Sequence, residues 1–443
     1  MRKPTIDTNI FRERRATMLK TFADKFKNAA IVIPAHPEFV RNNDVHYPYR
    51  QDSNLYYLTG FEEPNAVLII RPGQTPETTL FVQPKDIEKE TWTGFRYGPK
   101  AAKDIFGVDA AEVIESIEQR LPELLKPVEK VFYSLYINRE FDQLLLKTIE
   151  ALGLARSRTN KGNMTIEDAR PVLGELRIRK TPFEAEQMRL AAKASAQAHV
   201  DIMKATRPGV NERTLQGLFI HAVMSRGCAR EGYGSIVAGG ANATTLHYVY
   251  NDQPLRDGEM LLIDAGGEYN FYTADITRTY PVNGKFSATQ RRVYQKVLDL
   301  QKTLVASVQP GVTREALQKT TIAGLTDIMI EEKLLKGSRT ELIEKKEYLK
   351  FYMHGVSHWL GSDVHDTGVT EINGEPRPFE PGFCLTIEPG LYVPAEAVGV
   401  PEDLRGLGIR IEDDILVTTT GCENLTESCP KEIADLEAII GKG

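Results

Sequence analysis

The stretch Met260-Leu261-Leu262-Ile263-Asp264-Ala265-Gly266-Gly267-Glu268-Tyr269-Asn270-Phe271-Tyr272-Thr273-Ala274-Asp275-Ile276-Thr277-Arg278-Thr279-Tyr280 decides how the rest of the chain is read. Its first residues form a short apolar strand that ends at Asp264. Gly266-Gly267 predicts a turn, and Tyr269 to Tyr280 a return strand of alternating character, so the whole reads as a hairpin. Strand side chains alternate between two faces, which puts Thr273, Asp275, Thr277 and Thr279 on one polar face and aims Asp275 into a cleft.

Two later segments repeat this design. From Gly408 to Val417, Ile409, Ile411, Ile415 and Val417 fall on one face while Arg410 and Glu412 fall on the other, so an apolar row packs and a charged row lines a site. Phe383 to Ile387 is a further strand, with Glu388 at its end before Pro389-Gly390 stops the ladder. Asp413 and Asp414 extend the acidic run with no role assigned. Between these segments, His354-Gly355-Val356-Ser357-His358-Trp359-Leu360-Gly361 continues to His365-Asp366, so three of the eight histidines fall within twelve residues. The glycines argue for a loop in which backbone approaches a ligand.

Asp264, Asp275, His358, Glu388 and Glu412 thus stand as five candidate metal ligands. Two divalent ions roughly 3.5 to 4 Å apart repel each other and call for several anionic oxygens, some of them bridging. Four carboxylates meet that need. Hard oxygens with one imidazole suit Mn²⁺, Fe²⁺ or Co²⁺ better than a structural Zn²⁺, and Mn²⁺ is the first choice.

Outward from this region, Thr181-Pro182-Phe183-Glu184 combines an N-cap, proline at the first helical position and glutamate at the capping-box position, so a helix starts at Pro182. Met188, Ala191, Ala192, Ser195, Ala198 and Ile202 give it a buried face. The expected domains are 1–178 and 179–443. In the second, Pro208-Gly209-Val210-Asn211 leading to Leu215-Gln216 reappears as Pro310-Gly311-Val312-Thr313 leading to Leu317-Gln318, which suggests two related halves around one site. In the first, strand-like runs such as Ala30 to Ile33 and Ala66 to Ile70 alternate with helical stretches, an α/β pattern. The fold class expected for the whole is α/β (α+β).

A chain of 443 residues with 41% hydrophobic side chains supports two cores. Its net charge of −6 argues against nucleic acid or an anionic membrane as partner, because both select for clustered Lys and Arg. Met1 to Asp7 leads into a charged stretch without an apolar leader, and Cys228, Cys384, Cys422 and Cys429 show no framework spacing, so the expectation is a cytoplasmic protein with unpaired thiols.

Together these motifs resemble the metallopeptidase family with the pita-bread fold, which includes aminopeptidase P, prolidase and methionine aminopeptidase. Tyr49 to Phe61 resembles a signature of the smaller N-terminal domain carried by aminopeptidase P and prolidase, and the C-terminal motifs resemble the bacterial aminopeptidase P branch. The resemblance implies that Asp264 holds one metal, His358 and Glu388 the other, and that Asp275 and Glu412 bridge them. It implies attack by a hydroxide between the ions, with Glu388 as general base and His247 and His365 as donors to the reacting groups. His354 would shape the subsite for a proline ring, and Arg410 would order a bridging carboxylate. Trp92 matches a residue that reaches a neighbouring subunit's site in tetrameric relatives, so a homo-oligomer, dimer or tetramer, is implied.

The activity implied is removal of the first residue from peptides with proline second. That bond is a tertiary amide with a fixed φ, so a site must accept a ring where other peptides offer an N–H. The nearest rival is prolidase action on Xaa-Pro dipeptides. A non-catalytic peptide-binding relative, and metal-free creatinase, are rivals that the intact ligand set disfavours.

Overall fold

The computed structural model describes residues 6–158 and 164–443, so what was read from Met1 to Thr5 lies outside the described residues. The chain divides into two compact units, Met1–Leu176 and Arg177–Gly443, two residues before the division expected from sequence.

The first unit is built on a six-stranded mixed sheet in the order Ala110–Val113, Thr78–Val82, Val67–Ile70, Ala29–Pro34, Lys130–Phe132, Thr165–Glu167. Ala29–Pro34 pairs antiparallel with Val67–Ile70 and parallel with Lys130–Phe132. Both faces of this central strand are covered, which explains its unbroken apolar run. Ile31 and Ile33 pack into one core with Leu68 and Ile70, while Ala30 and Val32 pack into another with Val67 and Ile69. The Tyr49–Phe61 motif is buried here except for the partly exposed Tyr49, Arg50 and Asn54. Asp52 caps the helix Ser53–Thr59 by accepting from the amides of Asn54 and Leu55 at 2.9 and 2.8 Å. Gly60 ends that helix at φ 71°, where a Cβ would sit 2.3 Å from the Phe11 ring.

In the second unit, the helix Pro182–Ala205 starts with the expected capping box between Thr181 and Glu184. The repeated segment is repeated in structure as well. Gly209 (φ 87°) and Gly311 (φ 90°) turn the chain, and Asn211 and Thr313 cap the helices Glu212–Ser225 and Arg314–Glu331. The amide of Gly209 donates to the Leu255 carbonyl and that of Leu255 to Val210; in the second copy Gly311 donates to Phe379 and Phe379 to Val312. Asn211 bridges Pro254, and Thr313 bridges Pro378. Ten residues beyond each proline stands a carboxylate, Asp264 in one copy and Glu388 in the other.

The hairpin differs from its reading. Met260–Asp264 pairs antiparallel with Thr277–Pro281, and Asp264 stands opposite Thr277. The turn, however, lies at Asn270 and Phe271, both at positive φ, and Gly267–Tyr269 is a strand paired with Tyr272–Thr273 and with Arg230–Glu231. Gly266 is there for space, since a Cβ would lie 1.7 Å from the Ala274 carbonyl oxygen. Asp275 consequently sits in the break between two strands. Glu412 does too, because Gly408 to Val417 is not one strand: Leu407–Arg410 pairs with Gly390–Val393, and Asp413–Val417 pairs with Cys384–Ile387. Ile409 and Ile411 therefore pack with Leu261 and Ile263, whereas Ile415 and Val417 pack in a separate core with Leu385 and Ile387.

Candidate metal centre

A cavity of about 610 Å³ in the second unit is lined by Asp264, Asp275, His358, Glu388 and Glu412, together with His247, His354, His365 and Arg410. Eight of the nine residues singled out in this half of the sequence come from strand ends, strand breaks or the 354–365 loop; His247 follows the short helical turn Gly240–Thr244. Trp92 belongs to the first unit, on the helix Ile87–Thr93, and is 88% exposed.

Donor atoms of Asp275, His358 and Glu412 lie within 4.8 Å of one another, a spacing that one cation can gather. His358 Nε2 is 3.4 Å from Asp275 and 3.6 Å from Glu388. Its Nδ1, 3.0 Å from the Trp359 carbonyl, must carry the proton there, which leaves Nε2 as the nitrogen that could hold a cation. Asp264 and Asp275 converge on the Tyr233 hydroxyl, whose oxygen lies 2.6 and 2.5 Å from them and whose single proton they share.

The electrostatics ask for cations. Burial and the charges of Asp275, Glu388 and Asp264 hold the Glu412 carboxyl far above its ordinary range. Glu388 is pushed up to about 7 by burial, against the charges of His358 and Arg410. Asp264 is raised by burial in spite of Arg410. Only Asp275 is lowered, because the hydrogen bond and charge of His358 outweigh its burial, and His358 in turn rises to about 9 against its own burial. Four carboxylates so enclosed are ionised together only with positive charge among them, and a hard-oxygen set with one imidazole fits divalent ions.

Arg410 takes a different place from the one read for it. Its Nη2 donates to Asp264 at 2.6 Å, its Nη1 to the Tyr392 hydroxyl at 3.0 Å and its Nε to Thr277 Oγ1 at 3.0 Å. It reaches Glu412 only through Thr277, whose hydroxyl donates to Glu412 at 2.6 Å. Tyr392 passes the chain onward: its hydroxyl lies 2.8 Å from His354 Nε2, and His354 Nδ1 lies 2.8 Å from the Gly355 carbonyl. A carbonyl only accepts, so Nδ1 carries the proton and Nε2 accepts from Tyr392. Burial keeps this imidazole neutral, down to about 4. His365 meets His358 edge to face at 4.4 Å.

Sequence reading missed Tyr233, Tyr392, Thr386 and the two aspartates after Glu412. Tyr233 stood between two glycines, a usable signal, since a Cβ on Gly232 would lie 1.9 Å from Thr273 Oγ1. Thr386 donates to Glu388 at 3.3 Å. Asp413 and Asp414, left without a role, are fully buried: Asp414 accepts the amide of Asp275 at 3.1 Å, and Asp413 pairs with Arg278 at 2.7 Å. A second arginine, Arg314, also lines the cavity.

Residues 186–419 match the model of metallopeptidase family M24, and residues 11–133 that of the aminopeptidase P N-terminal domain. The chain is 41% identical to a Xaa-Pro aminopeptidase of Haemophilus influenzae, over 97% of this chain and 96% of that protein. It is 39% identical to one of Escherichia coli, with 97% of each covered. Among solved structures it is similar to an aminopeptidase of Pseudomonas aeruginosa (TM-score 0.93, 38% identity) and to zinc-substituted Escherichia coli aminopeptidase P in complex with product (TM-score 0.92, 39% identity), each covering 98% of both chains. With the pita-bread unit and its carboxylate-rich cavity set behind an aminopeptidase P type N-terminal domain, this chain belongs to metallopeptidase family M24.

Proposed function

We propose that the protein is a metal-dependent exopeptidase that removes the N-terminal residue from peptides with proline in the second position. One observation carries this reading: all five candidate ligands and three further imidazoles line a single cavity in a chain about 40% identical, end to end, to Xaa-Pro aminopeptidases. Asp264, Asp275, His358, Glu388 and Glu412 are the proposed ligands of two divalent ions, with Mn²⁺ the ion that suits the donor set. When bound, such ions lower the pKa of water and polarise the scissile carbonyl.

The chain's own groups do the rest. Glu388, ionised once cations occupy the centre, takes the proton of the attacking water. His247 and His365, both exposed toward the cavity, donate to the developing oxyanion and to the prolyl nitrogen as it leaves. His354 presents a neutral ring, fixed at both nitrogens, against which a proline ring can pack. Arg410 holds Asp264 and, through Thr277, Glu412 in place. The substrate's ammonium is drawn toward the carboxylates, which favours cutting at the first bond.

Four unpaired cysteines suit a reducing compartment and support a cytoplasmic location. Trp92, Ile87 and Tyr47, all exposed on the first unit, support assembly with further copies of the chain. The test of activity compares an Xaa-Pro-Yaa tripeptide with the matching Xaa-Pro dipeptide, using chelator-stripped protein with and without Mn²⁺. Metal-dependent release of Xaa mainly from the tripeptide is expected. Preference for the dipeptide would mean prolidase action, and no turnover with any divalent ion would leave a peptide-binding relative.

A further inference from the structure

The two copies of the repeated segment differ at one telling position. Glu212 begins the first helix, a usual place for an acid, and it is buried and hydrogen-bonded to Gly239, Asn242, Tyr248 and Gln253. The matching residue of the second copy is Arg314. A cation at a helix N-terminus faces the positive end of the helix dipole, so nothing in the helix itself favours it. Nor does a neighbour. Among the described residues Arg314 has no side-chain hydrogen bond and no ion pair, while the other arginine of the cavity, Arg410, is engaged with Asp264, Tyr392 and Thr277. Partial burial holds the Arg314 guanidinium below its usual range, and the charge of Glu388 acts in the opposite direction without forming a pair.

Arg314 also lines a second cavity of about 490 Å³, which shares His354, Gly355 and Ser357 with the first. Of the five proposed ligands, none lines this second space. Its two acids are placed out of the way, Glu315 paired with Lys319 at 2.6 Å and Glu371 exposed. The combined space therefore holds the carboxylates in its first part and a free guanidinium where the first part meets the second. A short peptide carries the complementary pattern, an ammonium at its first residue and a carboxylate at its last.

We propose that Arg314 and the second cavity bind the C-terminal carboxylate of the shortest substrates, Xaa-Pro-Yaa, after the chain has passed His354. This rests on the function proposed above. A guanidinium meets a carboxylate in two parallel hydrogen bonds, so removing the charge of the peptide's last residue removes the interaction. The free acid of a tripeptide is turned over with a kcat/KM about ten-fold above that of its C-terminal amide, mainly through KM, as a charge-assisted hydrogen bond at a half-exposed site allows.

The experiment measures the acid-to-amide ratio of kcat/KM for Xaa-Pro-Yaa in the Mn²⁺-loaded wild type, in Arg314→Ala and in Arg314→Lys. Taking a ratio on one protein sample cancels differences in folding or metal content between variants. Titration of metal-free protein with the Pro-Yaa acid and with its amide supplies a second reading, independent of turnover. The expected result is a ratio that falls to about one in Arg314→Ala and is partly kept in Arg314→Lys, with the same order in the titrations. An equal ratio in wild type and Arg314→Ala would overturn the role of Arg314 and leave the aminopeptidase reading standing. A wild type inactive on both peptides would overturn that reading and this inference with it.

Discussion

Arg278 is the largest fully buried side chain among the described residues, and replacing it with methionine should destabilise the second unit. Its guanidinium ties the strand Thr277–Pro281 to the segment that carries Glu412: Nη1 donates to the carbonyls of Thr277 (2.9 Å) and Glu412 (2.5 Å), Nη2 to Asp413 (2.7 Å) and to the Cys429 carbonyl (3.0 Å), and Nε to the Pro430 carbonyl (3.1 Å). Both members of the Arg278–Asp413 pair are wholly buried. Breaking one side of such a pair costs about 3–5 kcal/mol, because the remaining charge stays out of water. Lys431, Gln301, Asn424 and Thr426 still reach Asp413, which softens the loss, whereas the carbonyls of Glu412, Cys429 and Pro430 lose their arginine donor, which adds to it. A net ~4 kcal/mol with an m-value of about 3 kcal/mol/M shifts the urea midpoint down by roughly 1.3 M. The two tryptophans make the assay selective, since Trp359 is buried in the second unit and Trp92 is exposed in the first. In a Trp92→Phe background, fluorescence follows Trp359 alone. A midpoint shift below about 0.4 M, roughly 1 kcal/mol, would refute the argument that this buried pair is essential to the unit.

Two further outcomes follow from the same geometry. Tyr233→Phe removes the one hydroxyl shared by Asp264 and Asp275, and should weaken Mn²⁺ binding about ten-fold in a chelator competition; unchanged affinity would mean that the two carboxylates need no such anchor. His199, buried against Phe219 with Nε2 2.9 Å from the Ala265 carbonyl, is pushed by burial down to about 4. Its folded value lies below its unfolded one, so the unfolded chain takes up the proton first as pH falls. Stability from this group is full above about pH 6.5 and is lost progressively toward pH 4, an effect of roughly 3 kcal/mol. The stability difference between wild type and His199→Gln, measured by urea unfolding across that range, should shrink as pH falls, and a constant difference would dismiss the account.

What the sequence made legible was local. The capping box at Thr181 and Glu184, the apolar runs of the first unit and the strand ends at Asp264 and just before Glu388 follow from neighbouring residues, and each is seen in the fold. The two misread segments failed for a specific reason: alternation survives a strand break when the parity is kept. Ile409, Ile411, Ile415 and Val417 keep that parity across the step from one sheet to another, so nothing in their spacing marks the break at Glu412. The hairpin turn was hidden because Phe271 adopts positive φ, which a bulky residue seldom does, while the more suggestive glycine pair serves close packing. Arg278, Asp413 and Asp414 act through partners far along the chain, and no local pattern announces such distances.

The doubled architecture has a consequence for how the protein is made. Asp264 and Asp275 belong to the earlier copy, His358, Glu388 and Glu412 to the later, so neither copy alone carries the proposed set. A nascent or truncated chain that stops before residue 412 lacks one of the proposed ligands, however well its first copy has folded. The proposed centre therefore assembles only when both copies are present and folded together, and a fragment that carries one copy lacks part of the ligand set.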